Sequence, residues 1–313
     1  MTDRRAAPWK VSLHGGHSGE FCDHAEGTLR EMLTAAVNCG YSTFGVSEHV
    51  PRLDERFLYG NEIALGWTVA KITDDFERYQ DVLTPLAREF ADRLVVLRGF
   101  ECEVVPADEY VARMKGYQAR RLPTGAPVFD YCVGSVHFVD EIQIDSTVEQ
   151  FMQAMDAAGG LEALAIRYYE TVTEMVEALR PDVVGHLDLI KRNVELAGMQ
   201  RRETETEHVQ QAALRALEAI REYGGILDLN TAGWRKGLGE PYPAPWIVHK
   251  ANAMGIGFCF GDDSHRTTDV GAGIDQAVDY LIENGTASVT VLTREGDVDT
   301  GQVVRRVVPL PSR

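Results

Sequence analysis

The chain has 313 residues, 44% hydrophobic and 25% charged, an ordinary globular composition. Its 48 acidic residues against 31 basic ones give a formal charge of −17. That excludes a general nucleic-acid binder and disfavours docking on an anionic membrane, while a small phosphate substrate stays compatible because local cations override the net field. No apolar run approaches the ~18 residues of a membrane span. The first ten residues carry two arginines with no apolar stretch behind them, so no secretory signal is expected. The cysteines, Cys22, Cys39, Cys102, Cys132 and Cys259, are odd in number and none forms C-x-x-C. This argues against a disulfide framework and for a reducing cytoplasm.

Taken in chain order, runs rich in Val, Ile, Leu, Phe, Tyr and Cys predict strands at 10–14, 43–47, 94–101, 131–137, 182–186, 226–230 and 257–261. Helical spacing between them predicts helices over 28–39, 73–91, 161–179, 204–223, 244–254 and 273–284. The first places Leu29, Met32, Leu33 and Ala36 on one face and stops at Gly40. Seven β→α units imply parallel strands, and a closed barrel is preferred to an open doubly wound sheet. The open sheet would carry a Gly-rich phosphate loop after its first strand, and Gly15-Gly16 is too short for one. Stretches 51–69 and 104–128 are expected to be long connections over the active face. The tail predicts a hairpin from 288–292 and 302–308. The chain, 1–313, reads as one barrel domain over about 10–285 with a hairpin appendage over about 286–313.

Histidine placement carries the functional reading. His14, His49, His137, His186 and His265 fall at or just past predicted strand ends, and His17 and His24 follow in the first loop. Glu101 and Asp263 also sit at strand ends, whereas His208 and His249 lie in helical patterns. Any one of these histidines, taken singly, reads as a polar loop residue. Seven at equivalent positions, with two carboxylates, converge on the C-terminal face where barrel active sites are built. Imidazoles and carboxylates suit divalent Zn, Mn or Fe. Nine donors exceed what one ion needs and suit two or three, with a bridging carboxylate and a metal-bridging hydroxide as the nucleophile.

The run His14-Gly-Gly-His17-Ser-Gly-Glu-Phe-Cys22-Asp-His24-Ala resembles the opening motif of the polymerase-and-histidinol-phosphatase (PHP) superfamily. Ser47-Glu48-His49, Gly99-Phe100-Glu101, Gly134-Ser135-Val136-His137, Gly185-His186-Leu187-Asp188, Asn230-Thr231 and Asp263-Ser264-His265 follow in order. Within the superfamily the sequence is similar to the histidinol-phosphate phosphatases. The resemblance implies a distorted (β/α)₇ barrel with a trinuclear metal site. Carried over by motif, it gives His14, His17, Glu101 and Asp263 to the first metal, Glu101, His137 and His186 to the second, and His24, His49 and His265 to the third. One departure stands out: the family's opening pair is His-x-His, and here it is His14-x-x-His17. Gly15 and Gly16 permit the turn that re-aims the second side chain.

The implied reaction is phosphomonoester hydrolysis, with L-histidinol phosphate, a small molecule, as the expected substrate. The rivals are a PHP phosphoesterase acting on a nucleotide or sugar phosphate, and a metal-stabilised interaction module. Asp263 or His265 would deliver a proton to the leaving oxygen, beside the bridging Glu101. Phosphate grip favours guanidinium and ammonium groups, for which Arg235 (followed by Lys236), Arg192, Lys191 and Arg167 are the candidates. Cys22 and Cys102 read as packing residues. Glu103 points the same way as Glu101, Asp262 the opposite way from Asp263, and Trp67 and Trp234 wall either the pocket or the core.

Overall fold

The computed structural model describes residues 7–311. The two N-terminal arginines weighed for a leader lie outside the described residues. Seven parallel strands close into a barrel: β1 (Val11–Ser12), β2 (Thr43–His49), β3 (Val95–Glu101), β4 (Val133–Gly134), β5 (Val183–Val184), β6 (Ile226–Asn230) and β7 (Gly257–Gly261). Val11 pairs with Thr43, and Ser12 with Phe260 of the last strand, which closes the ring. Each strand is buried on both faces because helices cover the outside.

The crossovers follow local chemistry. Thr28 and Glu31 form a capping box that starts Leu29–Asn38, and the helix buries Leu29, Met32, Leu33 and Ala36. Leu161–Leu179 and Glu207–Tyr223 span the lengths their periodicity predicts to within a few residues. Four elements escape the periodicity. Helix Tyr110–Ala119 fills much of the expected 104–128 connection, and the 51–69 stretch contains the turn Glu55–Phe57 and the short helix Gly60–Ala64. Helix Val148–Ala158 is unforeseen, although its Thr147 cap and its Phe151, Ala154 and Met155 face are legible. No helix among the described residues is long and apolar enough to cross a membrane.

Strands β1, β4 and β5 are shorter than the apolar runs that predict them. Their ladders stop where the chain turns into the barrel mouth, at Gly15 (φ 141°) and Gly16 (φ 75°) after β1 and at His186 (φ 22°) after β5. Inside the barrel, the Tyr131 phenol takes the space next to Gly45 and Gly99: a Cβ on either would lie 2.3 or 2.4 Å from that ring.

The tail forms an antiparallel hairpin of β8 (Ser288–Glu295) and β9 (Gln302–Pro309). Val289, Val291 and Leu292 are buried. Thr293 and Thr43 share a hydroxyl hydrogen bond of 2.9 Å, and a Cβ on Gly257 would meet Thr290 Oγ1 at 2.2 Å. Thr43 and Gly257 open their strands, so the hairpin packs across the N-terminal end of the barrel, opposite the histidines.

Arg98, on the face of β3 opposite Glu101, is fully buried against the Val69–Phe90 helix. It donates to Asp130 Oδ1 at 2.8 Å and Oδ2 at 2.9 Å, and to Thr84 Oγ1 at 2.8 Å. Arg294 of the hairpin donates to the same Asp130 carboxylate. Asp130→Ala strands both guanidinium groups and should cost about 3–5 kcal/mol. The denaturant midpoint should fall accordingly while metal content per folded chain stays the same.

Candidate metal centre

The strand ends bring the nine sequence-selected donors together around Glu101. This carboxylate, 1% exposed, lies within hydrogen-bonding range or close to it for five imidazoles. The distances are 3.1 Å to His14, 3.7 Å to His17, 3.3 Å to His49, 3.5 Å to His137 and 3.3 Å to His186. Asp263 Oδ1 lies 4.0 Å from His17 Nε2 and 3.6 Å from His265 Nδ1. The ring of His265 stacks on those of His17 and His24, with centroids 4.3 and 4.7 Å apart. Asp263 holds φ 48°, which aims its side chain inward at the cost of a left-handed backbone.

The His14-x-x-His17 spacing is absorbed by the glycine turn. Gly15 N–H donates to Ser47 Oγ and Gly16 N–H to Ser264 Oγ, each at 3.1 Å, so the loop is pinned to two other strand ends. His17 is thereby turned back toward Glu101, fully buried.

Carboxylates behind the histidines fix which nitrogen faces inward. His14 Nδ1 donates to Asp228 (2.7 Å), His17 Nδ1 to Glu48 (3.1 Å) and His137 Nδ1 to Glu103 (3.2 Å). His265 Nδ1 donates to the Asp263 carbonyl at 3.0 Å. In each, Nε2 keeps a lone pair that points at other ligand atoms. His14 Nε2, His17 Nε2, His265 Nε2, His49 Nδ1 and Glu101 Oε1 are buried without a hydrogen-bond partner. Lone pairs facing lone pairs in a buried site call for a cation or a proton, and this donor set fits divalent ions. Glu103, expected to point the same way as Glu101, stands behind His137, whereas the places of Asp228 and Glu48 behind His14 and His17 were not foreseen. Asp228 had a signal: a carboxylate inside the apolar strand Ile226–Asn230, two residues from Asn230 and on its face.

Electrostatics follow from this crowding. Burial alone would raise the Glu101 carboxyl, but His14 and His49 hold it well below the usual range. Asp263 is likewise held low, against burial, by Lys236 and His14. Burial works against the His14 imidazolium, yet Glu101 and Asp228 raise it well above its ordinary value. His17 is raised by Glu48, and His137 is pushed up to about 9 by Glu103 and Glu101. Burial, with His17 and His24 alongside, pushes His265 well down.

A cavity of about 650 Å³ opens above this floor. Arg192, Arg235, Lys236 and Arg266 line it, with Asp23, Asp145 and Asp269 among them. Arg192 pairs with Asp145 at 3.1 Å. Arg235 donates to the carbonyls of Asp262 and Asp263 at 2.5 and 2.9 Å, which braces the ligand loop. Two expected phosphate contacts lie elsewhere. Lys191, in the turn Leu189–Lys191, is buried against Asp188 (2.8 Å) and Glu240 (2.9 Å). Arg167 sits on the outer face of its helix, paired with Asp140 (2.9 Å) and Glu174 (2.7 Å). Arg266 was not foreseen. Neither tryptophan lines the cavity: Trp67 lies under Lys71, and Trp234 packs edge-on against Tyr280. Asp262 turns away to Tyr41 Oη, 2.8 Å.

Two outcomes follow. Asp228→Asn removes the negative charge of the acceptor that orients His14 and should weaken metal binding about 10–100-fold, read by chelator competition on folded protein. The second concerns pH. His14, His17 and His137 titrate higher in the fold than the ordinary 6.5, so the metal-free native state holds protons that the unfolded chain releases. Their stabilisation is complete below 6.5 and is lost as pH rises through the raised folded-state values, about 9 for His137. The urea midpoint of chelator-treated protein should therefore fall across that window. The metal-loaded protein should not follow, because ions replace those protons.

Comparison with known proteins agrees with this architecture. A family model described as the PHP domain matches residues 14–232. A relative from Schizosaccharomyces pombe, named "Probable histidinol-phosphatase", is 31% identical over 300 residues, covering 95% of this chain and 94% of the relative. A solved structure from Listeria monocytogenes, of a protein assigned as a histidinol phosphatase, superposes with a TM-score of 0.73 at 26% identity, over 85% of this chain and 99% of that one. The histidinol phosphate phosphatase of Lactococcus lactis, solved with zinc, L-histidinol and phosphate, shares the fold at 17% identity. Its TM-score is 0.67, over 95% and 99% of the two chains. With seven parallel strands, nine converging donors and a family match over most of its length, the chain belongs to the PHP domain family.

Proposed function

We propose that this protein is a metal-dependent phosphomonoester hydrolase that converts L-histidinol phosphate and water to L-histidinol and phosphate. The observation that carries the reading is one cavity floored by seven of the nine nitrogen and oxygen ligands, with His14 and His17 buried beneath them, and walled by cationic side chains. A phosphate monoester needs both. The fission-yeast relative, aligned along nearly the whole chain, bears the name of this activity.

His14, His17, Glu101 and Asp263 would hold one divalent ion, Glu101, His137 and His186 a second, and His24, His49 and His265 a third. Zn, Mn and Fe all match these donors. When bound, such ions activate water at neutral pH and offset phosphoryl charge. The chain's own groups do the rest. Arg192, Arg235 and Lys236 meet the phosphoryl oxygens from the wall. Asp23, Asp145 and Asp269 offer counter-charge to the substrate's ammonium group. Asp263 is anionic in the resting site, so it accepts a proton from the attacking water before it can donate one to the leaving alkoxide. His265, kept neutral by its surroundings, braces that carboxylate through its bond to the Asp263 carbonyl.

Phosphate release from L-histidinol phosphate, measured on protein loaded with Mn²⁺, Zn²⁺ or Fe²⁺, tests the reading. It should exceed release from nucleotide and sugar phosphates and vanish in His137→Ala. Activity confined to the other phosphates would overturn the substrate, and inactivity of the loaded protein would overturn the enzyme. Asp263→Asn should lower kcat about 10²–10⁴-fold, with a smaller loss on an aryl phosphate whose leaving group needs no proton. An equal loss on both would remove Asp263 as the acid that serves the leaving oxygen.

A further inference from the structure

Resting on the reading of the strand-end cluster as a metal centre, we propose that the Cys22 thiolate is a further ligand of the outermost ion. A sulfur donor thus joins His24, His49 and His265.

The opening loop builds this arrangement locally. Phe21 N–H and Cys22 N–H both donate to the Ser18 carbonyl, at 3.0 and 2.9 Å, which winds the chain into a turn. The turn sets Cys22 and His24, two residues apart, side by side. Cys22 Sγ lies 3.3 Å from His24 Nδ1 and 3.5 Å from Nε2. His24 Nδ1 is committed to Asp23 Oδ1 at 3.0 Å, which leaves Nε2 free. His265 presents a buried Nε2 with no partner. Ligand atoms of Cys22, His24 and His265 all lie within 4.8 Å of one another. Around a tetrahedral zinc, with Zn–N about 2.0–2.1 Å and Zn–S about 2.3 Å, donor atoms stand roughly 3.4–3.7 Å apart. The Sγ···Nε2 separation of 3.5 Å already matches, and His265, with its ligand atom within 4.8 Å, completes the set by closing on the ion.

Cys22 borders a small cavity of about 20 Å³ in which apolar side chains, Phe21, Val50, Ile72 and Phe76, meet the polar groups of Asp23, His24, Glu48 and Arg52. Asp23 Oδ2 borders the same space without a hydrogen-bond partner, on a side chain only 2% exposed. On coordination the thiol proton leaves to solvent and the sulfur lone pair binds the ion. A soft thiolate favours zinc over manganese at this position, whereas the inner positions, built from nitrogen and oxygen alone, do not discriminate in that way.

Titrating metal-free protein with Co²⁺ tests this without reference to catalysis. Bound cobalt is counted by elemental analysis, and the near-ultraviolet sulfur-to-cobalt charge-transfer band is followed. The band should appear in the wild type and be absent from Cys22→Ser, which should still bind cobalt at the inner positions and lose its preference for zinc over manganese. Cobalt-saturated wild type without the band overturns the Cys22 ligand but leaves the metal centre standing, and so does a band that survives in the variant. Wild type that binds no cobalt overturns both. Should the variant fold poorly, zinc-edge X-ray absorption of the zinc-loaded wild type decides instead. A sulfur shell near ~2.3 Å supports the proposal, and its absence overturns it.

Discussion

Everything at the mouth of this barrel depends on one buried carboxylate. Glu101 is almost wholly removed from water and ringed by five imidazoles. An isolated charge there would be prohibitive, and neutral imidazoles with their lone pairs inward would make it worse. The site is coherent only with positive charge threaded between the rings. Protons supply some of it in the metal-free protein, as the raised His14, His17 and His137 show. Divalent ions supply it more completely, because each can meet several lone pairs at once.

The barrel is shaped to hold that arrangement. The β-ladders of β1, β4 and β5 stop early so that their next residues can swing inward, and the irregular backbone at Gly15, Gly16, His186 and Asp263 marks where they do so. Behind them stands a second tier of acids: Asp228, Glu48 and Glu103. These acids select the tautomers of His14, His17 and His137 and stop those rings from rotating away when no ion is bound. At the other end the hairpin closes the barrel with apolar side chains, and the buried Arg98–Asp130–Arg294 cluster ties it to the wall. The barrel thus has a rigid, sealed base and a mouth whose charge is balanced only by ligands.

The sequence disclosed the ligands more fully than their supports, for a physical reason. Period and composition report burial, so the seven strands and most of the helices were legible. Helix Tyr110–Ala119 was not, because it is weakly amphipathic, and Val148–Ala158, despite its legible cap and apolar face, was passed over because only two residues separate it from the longer helix Leu161–Leu179. Histidines at strand ends are conspicuous because barrel topology gathers them. Their partners are ordinary acids whose role depends on which way a side chain points, and a carboxylate such as Glu48 carries no mark of that in the sequence. The same limit explains Lys191 and Arg192. They are neighbours on one turn, yet one is consumed by Asp188 and Glu240 while the other faces the cavity.

The chain's charge distribution bears on substrate choice. A strongly acidic protein repels phosphate esters at long range, and that field weakens only over a screening length of about 8 Å in physiological salt. Bound cations and the four basic residues of the cavity wall reverse the sign locally. A dianionic sugar phosphate must cross the unfavourable outer field without compensation. A phosphate ester that also carries an amine is closer to neutral, so it crosses at less cost and finds both signs of charge within the cavity, with Asp145 beside Arg192. With ions bound, the acidic exterior and the cationic mouth would together favour zwitterionic phosphate monoesters over purely anionic ones.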